Sequence, residues 1–195
     1  MTAVQDKAEK SYNEATGAAL YDRFKASAEL LSAEVHRAAN MEEARQLVTQ
    51  IIKDLDTPKV VYAPSELMDT LDVKSIGQAA GVTMTAENLR QQAADAGLGI
   101  SQLDYAIAEI GTLAGNANSI ESRMVSILPP IHMAVIRTKN ILPNLLETIA
   151  TYNEKLGELP RYLTFVSGPS RTSDIERVLT IGVHGPGRLI IVFID

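Results

Sequence analysis

The chain has 195 residues, 46% of them hydrophobic and 22% charged, which suits one globular unit with a core of ordinary size. A formal net charge of −6 offers no electrostatic footprint for phosphate backbones or anionic lipid, so nucleic acid and membrane surfaces are not expected partners. The absence of cysteine excludes disulfides, thiolate zinc sites and cysteine-ligated iron–sulfur clusters within this chain, which leaves any redox centre to a partner.

Residues 1–19 are polar and alanine-rich with weak periodicity and read as an N-terminal arm, helical or frayed, ahead of one domain over residues 20–195. Leu20, Phe24, Ala28 and Leu31 recur at helical spacing, and Ala33 to Arg37 alternates as a short strand does. Asn40 with Glu43 predicts a capping box for a helix whose apolar stripe is Met41, Leu47, Val48, Ile51, Ile52 and Leu55. Lys59 to Ala63 reads as a buried strand, Ser65 to Leu71 as a short helix, and Val82 to Thr85 as a strand. A helix is predicted over Ala86 to Ala96, stopped by Gly97-Leu98-Gly99.

Leu103 to Leu113 forms a strand-like run ending in Glu109, Gly111 and Thr112. The double proline Pro129-Pro130 delivers the chain into a strand over Ile131 to Arg137, followed by a helical stretch from Ile141 to Tyr152 and a strand from Leu163 to Ser167. The last strand, Arg188 to Ile194, is apolar at consecutive positions and is therefore expected to be covered on both faces. This alternation is the beat of an α/β domain. The longest apolar run falls far short of the roughly 20 residues that span a bilayer, and the N-terminus lacks a signal-peptide core, so the expected location is the cytoplasm.

Between the strand ending at Ser167 and a helix expected near Ser173, with Glu176 as its capping partner, lies the stretch Gly168-Pro169-Ser170-Arg171-Thr172. A helix N-terminus presents unpaired N–H donors, and such crevices at strand ends bind anions in α/β folds. The dipole contributes only about 0.3–1 kcal/mol, whereas millimolar affinity needs about 4 kcal/mol. Several donors must therefore converge, and Gly168, Ser170, Arg171 and Thr172 are the candidates for gripping a carboxylate or phosphate. Capping alone accounts for either hydroxyl, and an ion pair with Asp174 accounts for the guanidinium.

Three blocks, "SILPPIH" at 126–132, "GPSRTSDIE" at 168–176 and "GVHGP" at 182–186, together resemble the LUD domain family, in particular its lactate utilization protein C group, over roughly residues 20–195. The resemblance implies an α/β three-layer sandwich around a largely parallel sheet, akin to the NagB/RpiA/CoA-transferase group. It implies a part in oxidising L-lactate to pyruvate, within a system whose iron–sulfur clusters sit in partner proteins. One departure stands out: Ile110, between Glu109 and Gly111, occupies a position where the family carries threonine, which removes a hydroxyl.

Candidate residues follow from both lines. Glu109 occupies a place like that of the catalytic glutamate of CoA-transferases, which opens a reading as an acyl or phosphoryl transferase. The other reading is a loop carboxylate accepting hydrogen bonds. Arg123 is a partner for Glu109 or for a bound anion, and Thr112 a further ligand contact. His184, on a rigid loop before Gly185-Pro186, suits proton exchange with a hydroxy acid, while His132 is expected as a hydrogen-bonded core residue and His36 as solvated. No pair of histidines has metal-ligand spacing, and no G-x-G-x-x-G follows a strand, so no metal or nucleotide cofactor is assigned to this chain. Three functions stay open: a non-redox component of a lactate-oxidising system, a transferase, and a small-molecule sensor or scaffold. Self-association or partner contact is expected from the amphipathic N-terminal third.

Overall fold

The apolar run that closes the chain lies inside the molecule, because strands on either side and layers above and below remove it from water. The computed structural model describes residues 17–157, 159–172, 180–182 and 184–195. In chain order its elements begin with a 3₁₀ turn at Gly17–Leu20, then α1 (Tyr21–Leu30), β1 (Glu34–Ala38), α2 (Met41–Asp54), β2 (Lys59–Tyr62), α3 (Glu66–Leu71), α4 (Val73–Ala80), β3 (Thr83–Thr85), α5 (Leu89–Gln92) and β4 (Leu98–Gln102). They continue with β5 (Tyr105–Ile107), β6 (Thr112–Asn116), α6 (Ile120–Ile127), β7 (Ile131–Arg137), β8 (Ile141–Leu142), α7 (Leu145–Leu156), β9 (Leu163–Val166), β10 (Arg171–Thr172), β11 (Thr180–Ile181) and β12 (Arg188–Ile194).

Six strands form one parallel sheet in the order β1-β12-β7-β4-β2-β3. From β2 the chain steps outward to β3, crosses back to β4 on the other side of β2, and then builds β7 and β12 in the opposite direction. The reversal lies between β2 and β4. Open α/β sheets bind ligands outside the carboxyl ends of strands at such a reversal.

Both faces of this sheet are covered, as expected. One face places Val60, Leu98, Ile100, Met133 and Val192 against Val48 and Ile52 of α2, Leu67 and Met68 of α3, and Ile76 of α4. The other places Val35, Ile136, Ile191 and Phe193 against Phe24 and Ala28 of α1 and against Ala106 and Leu113 of a second sheet. Phe24 and Phe193 meet edge to face at 5.1 Å between ring centres, and burying each such side chain contributes about 1.5–3 kcal/mol. The second sheet, ordered β8-β5-β6-β9, is covered in turn by α7, whose Tyr152 packs with Tyr105, Ile107 and Leu142.

Side-chain caps explain most helix starts. Asn40 Oδ1 accepts from the Glu43 amide at 2.9 Å while Glu43 Oε2 accepts from the Ala39 amide at 2.9 Å, the reciprocal pattern its spacing predicted, shifted by one residue. Asn144 caps α7 by accepting from the Glu147 amide, so that helix starts at Leu145, and Ile141–Leu142 is strand β8 instead of its first turn.

Three further departures have physical causes. The helix expected over 86–96 shrinks to Leu89–Gln92, and Leu98 and Gly99 belong to β4. At Gly99 a Cβ would overlap the Val125 carbonyl of α6, so this glycine admits a crossing helix and does not stop one. The run over 103–113 folds into an antiparallel hairpin, β5 and β6, around a turn where Gly111 takes φ 61° and lies against the backbone of Ser27 and Ala28. Arg171 and Thr172 pair antiparallel with Ile181 and Thr180 instead of running straight from strand to helix. The helix expected near Ser173 lies outside the described residues.

Candidate functional site

At the carboxyl end of β4, beside the sheet reversal, lies a cavity of ≈320 Å³. Its walls come from three places: Ser101, Gln102 and Leu103 at the end of β4, Gly115, Asn116 and Ala117 at the end of β6, and Ser122, Arg123, Ser126 and Ile127 on α6. Arg161, Tyr162 and the start of β9 close it. Ser119 starts α6 by accepting from the Ser122 amide at 3.2 Å, and this helix carries Arg123 and its hydroxyl neighbours along one wall.

The charge in this cavity is one-sided. Arg123 Nη1 donates to the Ala117 carbonyl at 3.1 Å, and its guanidinium stands 4.6 Å over the Tyr162 ring. The Arg161 guanidinium lies 5.6 Å from the same ring. Tyr162 is itself tied down, its amide donating to Asn118 Oδ1 at 2.9 Å and its carbonyl accepting from the Ala117 amide at 2.8 Å. Among the described residues no carboxylate lines the cavity. Glu121, two residues before Arg123, is held below the usual carboxylate range chiefly by the Ser119 hydroxyl, with Arg123 adding a smaller effect. Two guanidiniums around one tyrosine ring, with no acidic side chain in the lining among the described residues, favour an anionic guest.

A second cavity of ≈230 Å³ shares Gln102 and Asn116 with the first and adds Asp104, Asn140, Tyr152 and Lys155. Asp104 Oδ2 accepts from the Asn116 amide at 2.7 Å and from the Tyr152 hydroxyl at 2.9 Å. Burial, followed by the Asp104 charge, pushes the Tyr152 phenol far up, so it stays a donor. Asp104 thus positions the Asn116 backbone at the cavity wall. Among the described residues no group of three or more His, Asp or Glu side chains is arranged to hold a metal ion.

The residues singled out by sequence fall into two places. Arg123 is in the cavity wall. Glu109, Thr112, Gly168 and Arg171 gather instead around the tip of the β5–β6 hairpin and the C-terminal end of α1. Glu109 is exposed on the turn, its amide donating to the Pro143 carbonyl at 3.1 Å, and no ion pair joins it to Arg123 among the described residues. The Thr112 hydroxyl is buried against Ser167 Oγ at 2.7 Å. Gly168, at φ 71°, lets the chain pass over the Leu31 carbonyl, where a Cβ would overlap it.

Arg171 Nη2 donates to that same Leu31 carbonyl at 2.7 Å and to Ser32 Oγ at 2.6 Å. The expected anion grip assumed a helix N-terminus, whereas this guanidinium sits at a helix C-terminus. Carbonyls there carry partial negative charge, which attracts the guanidinium and repels an anion. Ser170 donates its hydroxyl to the His184 carbonyl at 3.0 Å, and its backbone bonds Pro186 and Gly182. Thr172 lies on β10, and the His184 side chain is exposed. His132 is buried and hydrogen-bonded, as expected, with its Nε2 2.8 Å from Ser101 Oγ.

Sequence reasoning did not reach Ser101, Gln102, Asn116, Arg161 or Tyr162. Gly97 and Gly99 masked the β4 strand that ends at Gln102. The adjacent Arg161-Tyr162 pair ahead of an apolar strand was the legible signal.

The fold and the cavity define a class: an α/β protein with a cationic pocket at the carboxyl end of a parallel-sheet strand. The family model described as the LUD domain matches residues 21–194, and the chain belongs to the LUD domain family. It is 32% identical over 177 residues to "Lactate utilization protein C 1" of Bacillus mycoides, covering 86% of this chain and 75% of that protein. It is 28% identical over 166 residues to "Lactate utilization protein C" of Halalkalibacterium halodurans, covering 82% of this chain and 72% of that protein. A crystal structure of a DUF162 family protein from Deinococcus radiodurans superposes with a TM-score of 0.61, covering 91% of this chain and 98% of that one; at 20% identity this likeness concerns the fold.

Proposed function

We propose that this chain is a component of an L-lactate utilization system that binds a small carboxylate and has no redox centre of its own, the iron–sulfur clusters of lactate oxidation residing in partner proteins. The observation that carries the ligand reading is the cavity wall where Arg123 and Arg161 approach one tyrosine, with no acidic residue in the lining among the described residues. The names of the relatives support the metabolic setting, and a chain of 195 residues without cysteine supports the division of labour.

The energetics are adequate. A hydrogen bond to a charged group contributes about 1.5–3 kcal/mol, so two from a guanidinium approach the roughly 4 kcal/mol of millimolar binding. Arg123 spends Nη1 on Ala117, which fixes the side chain, and among the described residues its remaining N–H groups are available to a guest.

The test is reconstitution of lactate oxidation from purified system components with and without this chain. Oxidation should fall at least tenfold when the chain is omitted, and Arg123→Met should fall toward that level while melting near the wild-type temperature. Unchanged oxidation without the chain overturns the role.

A further inference from the structure

Two polar side chains are buried in an otherwise apolar part of the main sheet. In the β4–β7 pairing Gly99 lies opposite His132 and Ser101 opposite Ala134, and the two-residue period of strands puts Ser101 and His132 on one face. They meet at 2.8 Å, Ser101 Oγ to His132 Nε2, at 2% and 1% exposure. Their strand neighbours Ile100, Met133 and Ala134 are fully buried and apolar. Folding alone would be served as well by an apolar pair of the same size, since burying polar groups costs free energy that a hydrogen bond only offsets. Ser101 also lines the ≈320 Å³ cavity that holds Arg123, so the hydrogen-bonded pair links the sheet interior to the cavity wall.

The chemistry of the pair narrows its use. Burial alone pushes the His132 imidazole down to about 4, so it is neutral. If it took the Ser101 proton, the imidazolium would be desolvated with no carboxylate beside it among the described residues, which argues against nucleophilic attack by Ser101. A neutral imidazole is instead a fixed hydrogen-bond partner. When Nε2 accepts the serine proton, the Oγ lone pairs accept from a guest hydroxyl; when Nε2–H donates, the serine proton is free for a guest carbonyl. The same pair therefore serves both a 2-hydroxy and a 2-oxo acid.

We propose that Ser101, oriented by His132, is the specificity-determining contact of this cavity, hydrogen-bonding the 2-oxygen of a small 2-hydroxy or 2-oxo acid whose carboxylate lies at Arg123. This rests on the carboxylate reading above. His132 is then a positioning residue that touches the guest only through Ser101.

Calorimetric titration of the full chain with L-lactate, pyruvate and propionate tests it, because propionate has the carboxylate and lacks the 2-oxygen. Wild type should bind lactate and pyruvate about three- to tenfold more tightly than propionate, the equivalent of one neutral hydrogen bond. Ser101→Ala and His132→Leu should lose that preference and bind all three at the propionate level. His132→Gln, which returns an amide group near the Nε2 position, should recover it, which a purely structural role would not. Should Ser101→Ala not melt cooperatively, Ser101→Cys, similar in size and a weak hydrogen-bond partner, carries the comparison.

Arg123→Met separates the two readings by weakening all three ligands at least tenfold. A preference that survives in Ser101→Ala, or equal binding of all three ligands by wild type, overturns the inference while carboxylate binding stands. Absence of binding, or binding unaffected by Arg123→Met, removes the carboxylate reading and the inference with it.

Discussion

Arg171 shows how a side chain's neighbours decide its work. As a guanidinium in a turn rich in hydroxyls and glycine it has the chemistry of an anion grip, yet its Nη2 closes the end of α1 through Leu31 and Ser32. Ser32 stands at φ 65°, the left-handed turn that ends the helix, and the guanidinium satisfies a carbonyl left over there. Arg171→Ala should therefore cost about 1 kcal/mol of stability in urea unfolding while leaving carboxylate affinity within twofold of wild type. A large loss of affinity with unchanged stability would return Arg171 to the binding site. Arg123 was legible because it precedes the Ile127-Leu128-Pro129-Pro130 block, whereas Ser101 was hidden just after Gly97 and Gly99, which read as a helix stop.

At the level of elements, α6 and β4 form one unit. Gly99 admits the Val125 carbonyl of α6 into the space a Cβ would occupy, and α6 carries Ser122, Arg123 and Ser126 to the cavity. Gly99→Ala must push the helix off the strand, at a cost of about 1–3 kcal/mol for overpacking, and should weaken carboxylate binding at least threefold although no guest contact is removed. Calorimetry alongside urea unfolding checks both parts; unchanged affinity in a destabilised variant would uncouple helix position from the site. The starts of α2 and α3 were legible, since Asn40 and Ser65 cap within three residues of the amides they serve, whereas α4 and α6 were not read from the sequence. The split of 103–113 into a hairpin was not, because its turn depends on Gly111 fitting against α1, which is distant in sequence.

For the whole molecule, the buried neutral imidazole of His132 couples folding to pH. Its pKa falls from 6.5 to about 4 in the folded state, so between those values the unfolded chain binds the extra proton. Unfolding then takes up protons as pH drops, and the stabilising contribution is complete above about pH 6.5 and is lost as pH falls toward 4. A shift of this size corresponds to about 3 kcal/mol. Chemical unfolding at pH 7 and pH 4.5 should show a loss of this order in the wild type, and His132→Gln should remove most of it. A pH dependence identical in the two proteins would show that other groups govern it.

The sequence by itself determined the α/β class, the family and the apolar β12 strand covered on both faces, because periodicity, capping and motif blocks are carried by residues a few positions apart. Only the tertiary structure decided where the cavity lies and which side chains share it. Ser101 meets His132 across 31 positions, and Arg123 on α6 meets Tyr162 immediately before β9, through a strand order no local pattern encodes. Hydrogen bonds and charge act over a few ångströms of space, and the distance between two residues in space follows from strand pairing, not from their separation along the chain.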